Sequence, residues 1–135
     1  MSLKNLSVKN KIPNKYKVKL NNQKVNQIYK KFEKSFKIDR DFIVAVSGGA
    51  DSLALAFLTK LYAFKNKLNP KYYIVDHKLR KESTSEAFKV KKILSSLNIN
   101  SQILTVRGKK PQNRIQSFAR EKRYNLLFSK CKKFK

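Results

Sequence analysis

Cysteine occurs once in the 135 residues, as Cys131. A disulfide framework and any CxxC redox or iron–sulfur site within the chain are therefore excluded, and the thiol is expected to be reduced, as in the cytosol. No apolar run approaches the roughly 20 residues of a membrane-spanning helix. The opening `MSLKNLSVKNKIPNK` lacks the continuous apolar stretch of a secretory signal and the arginines of a transit peptide. A cytoplasmic protein with no membrane partner is expected. Acidic residues are also few, 8 Asp+Glu against 33 Lys+Arg, for a formal charge of +25. That imbalance points to a polyanionic partner, nucleic acid ahead of anionic membrane. Only 6 of the basic residues are Arg, while Asn is abundant (12) and Gly scarce (3), a composition that coding bias also produces. Charge alone thus supports RNA or DNA binding without establishing it.

What is present suffices for one modest domain: 41% of the chain is hydrophobic, enough for a core. Residues 1–23 are polar, Lys/Asn-rich and without clear periodicity, which predicts a basic flexible arm before a domain over 24–135. Val25, Ile28, Tyr29, Phe32 and Phe36 recur at helical spacing and predict a helix over about 24–37. Three apolar runs follow, `FIVAV` (42–46), `YYIVD` (72–76) and `SQILTV` (101–106). The first intervening segment places Leu55, Leu58, Leu61 and Tyr62 on one side and stops at `LNP`. The second is expected to open with a capping box, Ser83 and Glu86, and to bury Ala87, Val90, Leu94 and Leu97. A last helix is expected from about Asn113, with Ile115, Phe118, Ala119 and Leu126 inward. This βαβαβα alternation predicts an α/β fold, a doubly wound parallel sheet preceded by an N-terminal helix.

In such sheets ligands sit at the carboxyl ends of the strands. `SGGADS` (47–52) lies at the end of the first strand and opens the following helix. Gly48 and Gly49 leave backbone N–H groups unshielded, the helix dipole adds partial positive charge, and Ser47 and Ser52 add hydroxyls. Together with Ala50 they form a candidate cup for phosphate. The pattern is neither the Walker loop nor the GxGxxG fingerprint. An ordinary strand-to-helix turn with Asp51 or Ser52 as N-cap is the simpler alternative.

The spacing Ser-Gly-Gly-x-Asp-Ser resembles the PP-loop of the N-type ATP pyrophosphatases, which split ATP between its α- and β-phosphates. The resemblance implies an adenine nucleotide hydrolase-like fold, ATP as substrate at Ser47–Ser52, and a task for Asp51: holding Mg²⁺ beside the phosphates or capping the helix. Two further segments narrow the match. `IVDHKLRKESTSEAFKV` (74–90) and `RIQSFAREKRYNLL` (114–127), with `VAVSGGADS`, resemble the tRNA(Ile)-lysidine synthetase family and its VDHGLR and IQ-x-x-AR-x-x-RY signatures. The likeness covers residues 42 to 128, about two-thirds of the chain.

On this resemblance, ATP adenylates the C2 oxygen of the wobble cytidine in a CAU-anticodon isoleucine tRNA. The amine of free L-lysine then displaces AMP, and decoding changes from AUG to AUA. Asp51 and His77 are the expected catalytic residues. Arg80, on the loop after the second strand, and Arg120, Arg123 and Tyr124, at i, i+3 and i+4 on one helical face, are the expected tRNA or phosphate contacts. The lysines at 130, 132, 133 and 135 read as solvated. Lys78 stands where the family usually has Gly. Related enzymes continue into an HxxDD-type helix and tRNA-recognition domains, so the expectation is an N-terminal portion unable to complete catalysis alone. Two alternatives stay open: another PP-loop tRNA modifier of the thiolase type, which Cys131 alone serves poorly, and a basic RNA-binding module without turnover.

Overall fold

Short apolar, β-branched segments cannot satisfy their backbone groups alone, and here three of them pair side by side. The computed structural model describes residues 12–78, 80–106 and 115–133, the side chains of 115–119 and 132–133 excepted. Its strands are β1 (Ile43–Val46), β2 (Lys71–Asp76) and β3 (Ser101–Thr105). They form one parallel sheet in the order β1-β2-β3. The register sets Val46 opposite Ile74 and Asp76 opposite Thr105, so all three carboxyl ends emerge on one edge.

The helices are α1 (Asn14–Leu20), α2 (Gln23–Ser35), α3 (Ala50–Asn66), α4 (Ser83–Ser96) and α5 (Ile115–Lys133). Side chains alternate across a strand. Val44, Val46, Tyr72 and Ile74 therefore turn together onto Ala56 of α3 and onto Ala87, Val90 and Leu94 of α4. Tyr73 faces the other way, where Lys130 Nζ of α5 lies 6.0 Å from its ring. Both faces are covered along the central strand β2, which is why it reads as a continuous apolar run, while Ala45 of β1 and Gln102 of β3, opposite Tyr73, stay exposed. The α/β alternation and parallel sheet expected from the sequence are present. Lys130 is half-buried over that ring rather than fully solvated.

The expected arm holds a correction. Residues 1–11 lie outside the described residues, but 14–20 are helical. Tyr16 is fully buried, stacks on Phe57 at 4.9 Å, meets Phe64 edge-on, and donates its hydroxyl to Leu97 O at 2.6 Å. Lys15 Nζ adds bonds to Ser96 O and Asn98 Oδ1. Ile12, Tyr16 and Leu20 pack into this aromatic cluster at i, i+4 and i+8, a three-residue stripe too short to stand out among the surrounding lysines and asparagines. The next helix begins where Asn22 accepts from the Lys24 and Val25 N–H groups as a side-chain cap.

Two apolar residues expected inside are exposed. Ile28 lies off the narrow stripe through which Tyr29, Phe32 and Phe36 pack in the aromatic cluster with Tyr62. Leu55 opens onto the cleft described below. Asn113 lies outside the described residues, as do the side chains of Ile115, Phe118 and Ala119; Leu126 is half-buried.

Candidate active site

β1 ends at Val46, and within four residues the chain becomes α3. Gly48 makes the turn with φ +93°, a conformation L side chains rarely adopt. A Cβ there would also lie 2.6 Å from Val90 Cγ2. Gly49 has neither constraint: its added Cβ would meet only Ser47 Oγ, at 3.7 Å. The first glycine serves the fold, and the second leaves a face of the loop open. The Ser47 N–H donates to Ser52 Oγ at 2.8 Å and the Gly49 N–H to Ser47 Oγ at 3.4 Å, so both hydroxyls brace the loop as acceptors. Neither Asp51 nor Ser52 is the N-cap. Gly49 holds that position and offers no side-chain bond, since it has no side chain. The first-turn amides of α3 are thus left for water or an anion, at the positive end of the helix dipole. Asp51 is exposed in that first turn.

The second strand delivers Asp76, His77 and Lys78. The Asp76 side chain is 1% exposed. It accepts from the Lys78 N–H at 3.0 Å and from Thr84 Oγ1 at 2.8 Å, with Lys78 Nζ at 3.7 Å. Burial alone would raise its pKa, but the bonds from Thr84, the Lys78 N–H and Ser83, with the Lys78 charge, outweigh it and hold the carboxyl below its ordinary value. Lys78 sits at φ +55°, in the left-handed region. A glycine there would be unstrained, whereas a lysine carries a cost of about 1 kcal/mol. Its ammonium offsets part of this by bonding Thr84 Oγ1 at 2.6 Å. His77 is half-buried, and its Nδ1 is buried with no hydrogen-bond partner among the described residues. Burial lowers its pKa, the Arg123 charge lowers it further, and Asp76 offsets only part. A neutral imidazole near pH 7 follows.

The capping box expected at Ser83 and Glu86 does not form. The N-cap of α4 is Glu82, without a side-chain bond. Ser83 Oγ donates to Arg80 O at 2.9 Å, and Glu86 Oε2 accepts from Arg80 Nη2 at 2.7 Å. From the other side α5 brings Arg120, Arg123 and Tyr124, with Arg123 Cζ 5.6 Å from the Tyr124 ring centroid.

These elements enclose one cleft of about 1050 Å³ at the carboxyl edge of the sheet. Ser47, Asp51, Ser52, His77, Arg80, Arg120, Arg123 and Tyr124 all line it, so residues up to 77 positions apart in sequence are brought together. Gly48, Gly49 and Ala50 form the backbone of the loop at its edge. Leu55, Tyr73, Asp76, Ser83, Glu86 and Leu127 also line it and were not among the expected site residues. For Glu86 the sequence signal was misleading, because its spacing from Ser83 reads as a helix cap. Among the described residues no group of three His, Cys, Asp or Glu could hold a metal. A single carboxylate such as Asp51 still fits Mg²⁺, which is commonly held by one or two carboxylates together with substrate phosphates.

The braced glycine loop between a parallel strand and a helix defines a phosphate-binding α/β domain. The chain belongs to the PP-loop domain family, whose match covers residues 18–135. It is 47% identical over 96 residues to a tRNA(Ile)-lysidine synthase of Bartonella quintana, covering 70% of this chain and 20% of that protein. A tRNA(Ile)-lysidine synthase of Rickettsia akari is 38% identical over 91 residues, covering 67% of this chain and 21% of that protein. The chain thus spans about a fifth of the length of these relatives. Among solved structures, an NH3-dependent NAD synthetase from Campylobacter jejuni aligns with TM-score 0.45 and 18% identity, over 79% of this chain and 48% of that one.

Proposed function

We propose that this chain is the ATP-binding part of a tRNA(Ile)-lysidine synthase. The observation that carries the reading is the Ser47–Ser52 loop, braced by its own hydroxyls and facing His77 and Arg123 across one cleft. The family and the relatives' names support it. In the proposed reaction the wobble cytidine C2 oxygen attacks the α-phosphorus of ATP, the bond to the bridging oxygen breaks, and pyrophosphate leaves. The lysine side-chain amine then adds at C2, AMP departs with the oxygen, and the nitrogen releases a proton. Activation is needed because a carbonyl oxygen is a poor leaving group and a phosphate ester a good one.

Each group has a part. The open first-turn amides of α3 and the Gly49 side of the loop hold pyrophosphate, stabilising charge as it develops. Arg120 and Arg123 contact nucleotide or tRNA phosphate, and Tyr124 offers a face for stacking. His77, neutral near pH 7, is suited to accept the proton from the attacking amine. Asp51 would hold Mg²⁺, which when bound neutralises phosphate charge. The reading places the protein in the cytoplasm with a CAU-anticodon isoleucine tRNA, L-lysine and ATP as partners.

ATP binding by calorimetry on the wild type, Gly49→Val and Asp51→Ala tests this. Gly49→Val fills the open side of the loop and is expected to weaken ATP at least tenfold while the melting temperature stays within a few degrees. ATP affinity indifferent to both substitutions would refute the loop's role and favour a non-catalytic RNA-binding module. Incorporation of labelled lysine into tRNA, by this chain and by longer forms, tests the reaction itself.

A further inference from the structure

We infer that Arg80 and Glu86 together form the docking point for the charged backbone of a free amino acid, Glu86 taking the α-ammonium and Arg80 the α-carboxylate. The inference rests on the proposed function, which requires an amino acid beside ATP, and it assigns that co-substrate a place.

α4 begins at Ser83 with Glu82 as an N-cap that makes no side-chain bond, so Glu86 falls one position past the capping-box site and bonds Arg80 instead. A helix cap is worth about 0.5–2 kcal/mol, and departures from local rules of this size concentrate at functional sites. The pair lies in the cleft with side chains 67% and 48% exposed. An ion pair this wet is worth about 0–1 kcal/mol, so exchanging it for two pairs with a zwitterion costs little.

The charges of the cleft leave few alternatives. Its carboxylates among the described residues are Asp51, Asp76 and Glu86. Asp76 is buried, with both oxygens engaged by Lys78 and Thr84. Asp51 stands at the phosphate loop. Glu86 is the carboxylate left open to an ammonium, and it is already beside a guanidinium whose planar fork matches a carboxylate. Leu55, 43% exposed in the same cleft, and Leu127 offer apolar surface for an aliphatic stem.

Equilibrium dialysis of labelled L-lysine against the chain tests this, with L-norleucine and cadaverine as competitors. Norleucine carries both backbone charges on an aliphatic stem; cadaverine has two amines and no carboxylate. Norleucine is expected to compete and cadaverine to fail. Glu86→Gln and Arg80→Gln are each expected to weaken lysine at least tenfold, and Glu86→Asp, which keeps the charge, to recover part of the loss. Lysine affinity within twofold of wild type in Glu86→Gln, cadaverine competing as well as norleucine, or no lysine binding by the wild type would each overturn the inference. Should a variant fail to fold, the competition on the wild type decides. ATP binding to the wild type, measured in parallel, keeps failure of the nucleotide reading separate from failure of this one.

Discussion

Replacing Gly48 by alanine separates what the loop does for the fold from what it does for a ligand. Two costs are built into the geometry. The backbone sits at φ +93°, where an L side chain is strained by about 1–2 kcal/mol. The new methyl also lands 2.6 Å from Val90 Cγ2, inside the core cluster, and such overpacking costs about 1–3 kcal/mol. The sum is about 2–5 kcal/mol, a large share of the stability of an ordinary domain. Urea unfolding followed by circular dichroism would measure it. Val90→Ala removes the atom that is struck, at a cavity cost of its own of about 2 kcal/mol. In the double variant the overpacking vanishes while the φ strain remains. The double variant should therefore be less destabilised than the sum of the singles by about 1–3 kcal/mol. Gly49→Ala, whose Cβ meets only Ser47 Oγ at 3.7 Å, should lose only about 0.5–1 kcal/mol, the cost of alanine at an N-cap. Strict additivity of Gly48→Ala and Val90→Ala, or equal losses at both glycines, would refute the argument.

Three further outcomes follow from the structure. His77 is the chain's one histidine, so its ring signals titrate without overlap in proton NMR; its pKa should lie below 6.5 and rise in Arg123→Gln, which removes the second of its two depressing causes. Because the unfolded chain then binds more protons, His77 makes stability fall as pH drops through 6.5 and level off below the folded value, a dependence that His77→Gln should abolish. Asp76→Ala strands the Thr84 hydroxyl and the Lys78 N–H and should cost about 2–4 kcal/mol by urea unfolding; in the wild type the Asp76 contribution is present above 3.8 and lost as pH falls through its lower folded value. Tyr16→Ala should cost about 3–5 kcal/mol by the same measurement and Tyr16→Phe, which loses only the bond to Leu97 O, about 1 kcal/mol; a neutral Tyr16→Ala would return α1 to the status of a loose arm.

Much of the molecule was legible in the chain because its signals are local. The central strand announced itself as a short apolar run, since a strand covered on both faces needs no alternation. Ala87, Val90 and Leu94 announced the buried face of α4, because helical spacing survives in the sequence whatever the partner. `SGGADS` marked the loop, since glycine and small hydroxyls at a strand-to-helix junction answer a backbone need. Its position at the carboxyl edge followed from topology alone. The rest depended on contacts between distant residues. Tyr16 binds the first helix to Leu97, 81 positions away, and no window around Tyr16 contains that partner. Glu86 reads as a cap until Arg80 folds back over the first turn of α4. The two glycines look equivalent until Val90 arrives behind one of them. His77 acquires its depressed pKa only when α5 brings Arg123 beside it. Local pattern set the elements, because periodicity and turn chemistry are short-range. Which face of each residue meets a charge, a methyl or open solvent was decided only by the tertiary structure, because burial and Coulomb fields act between segments that the sequence keeps apart.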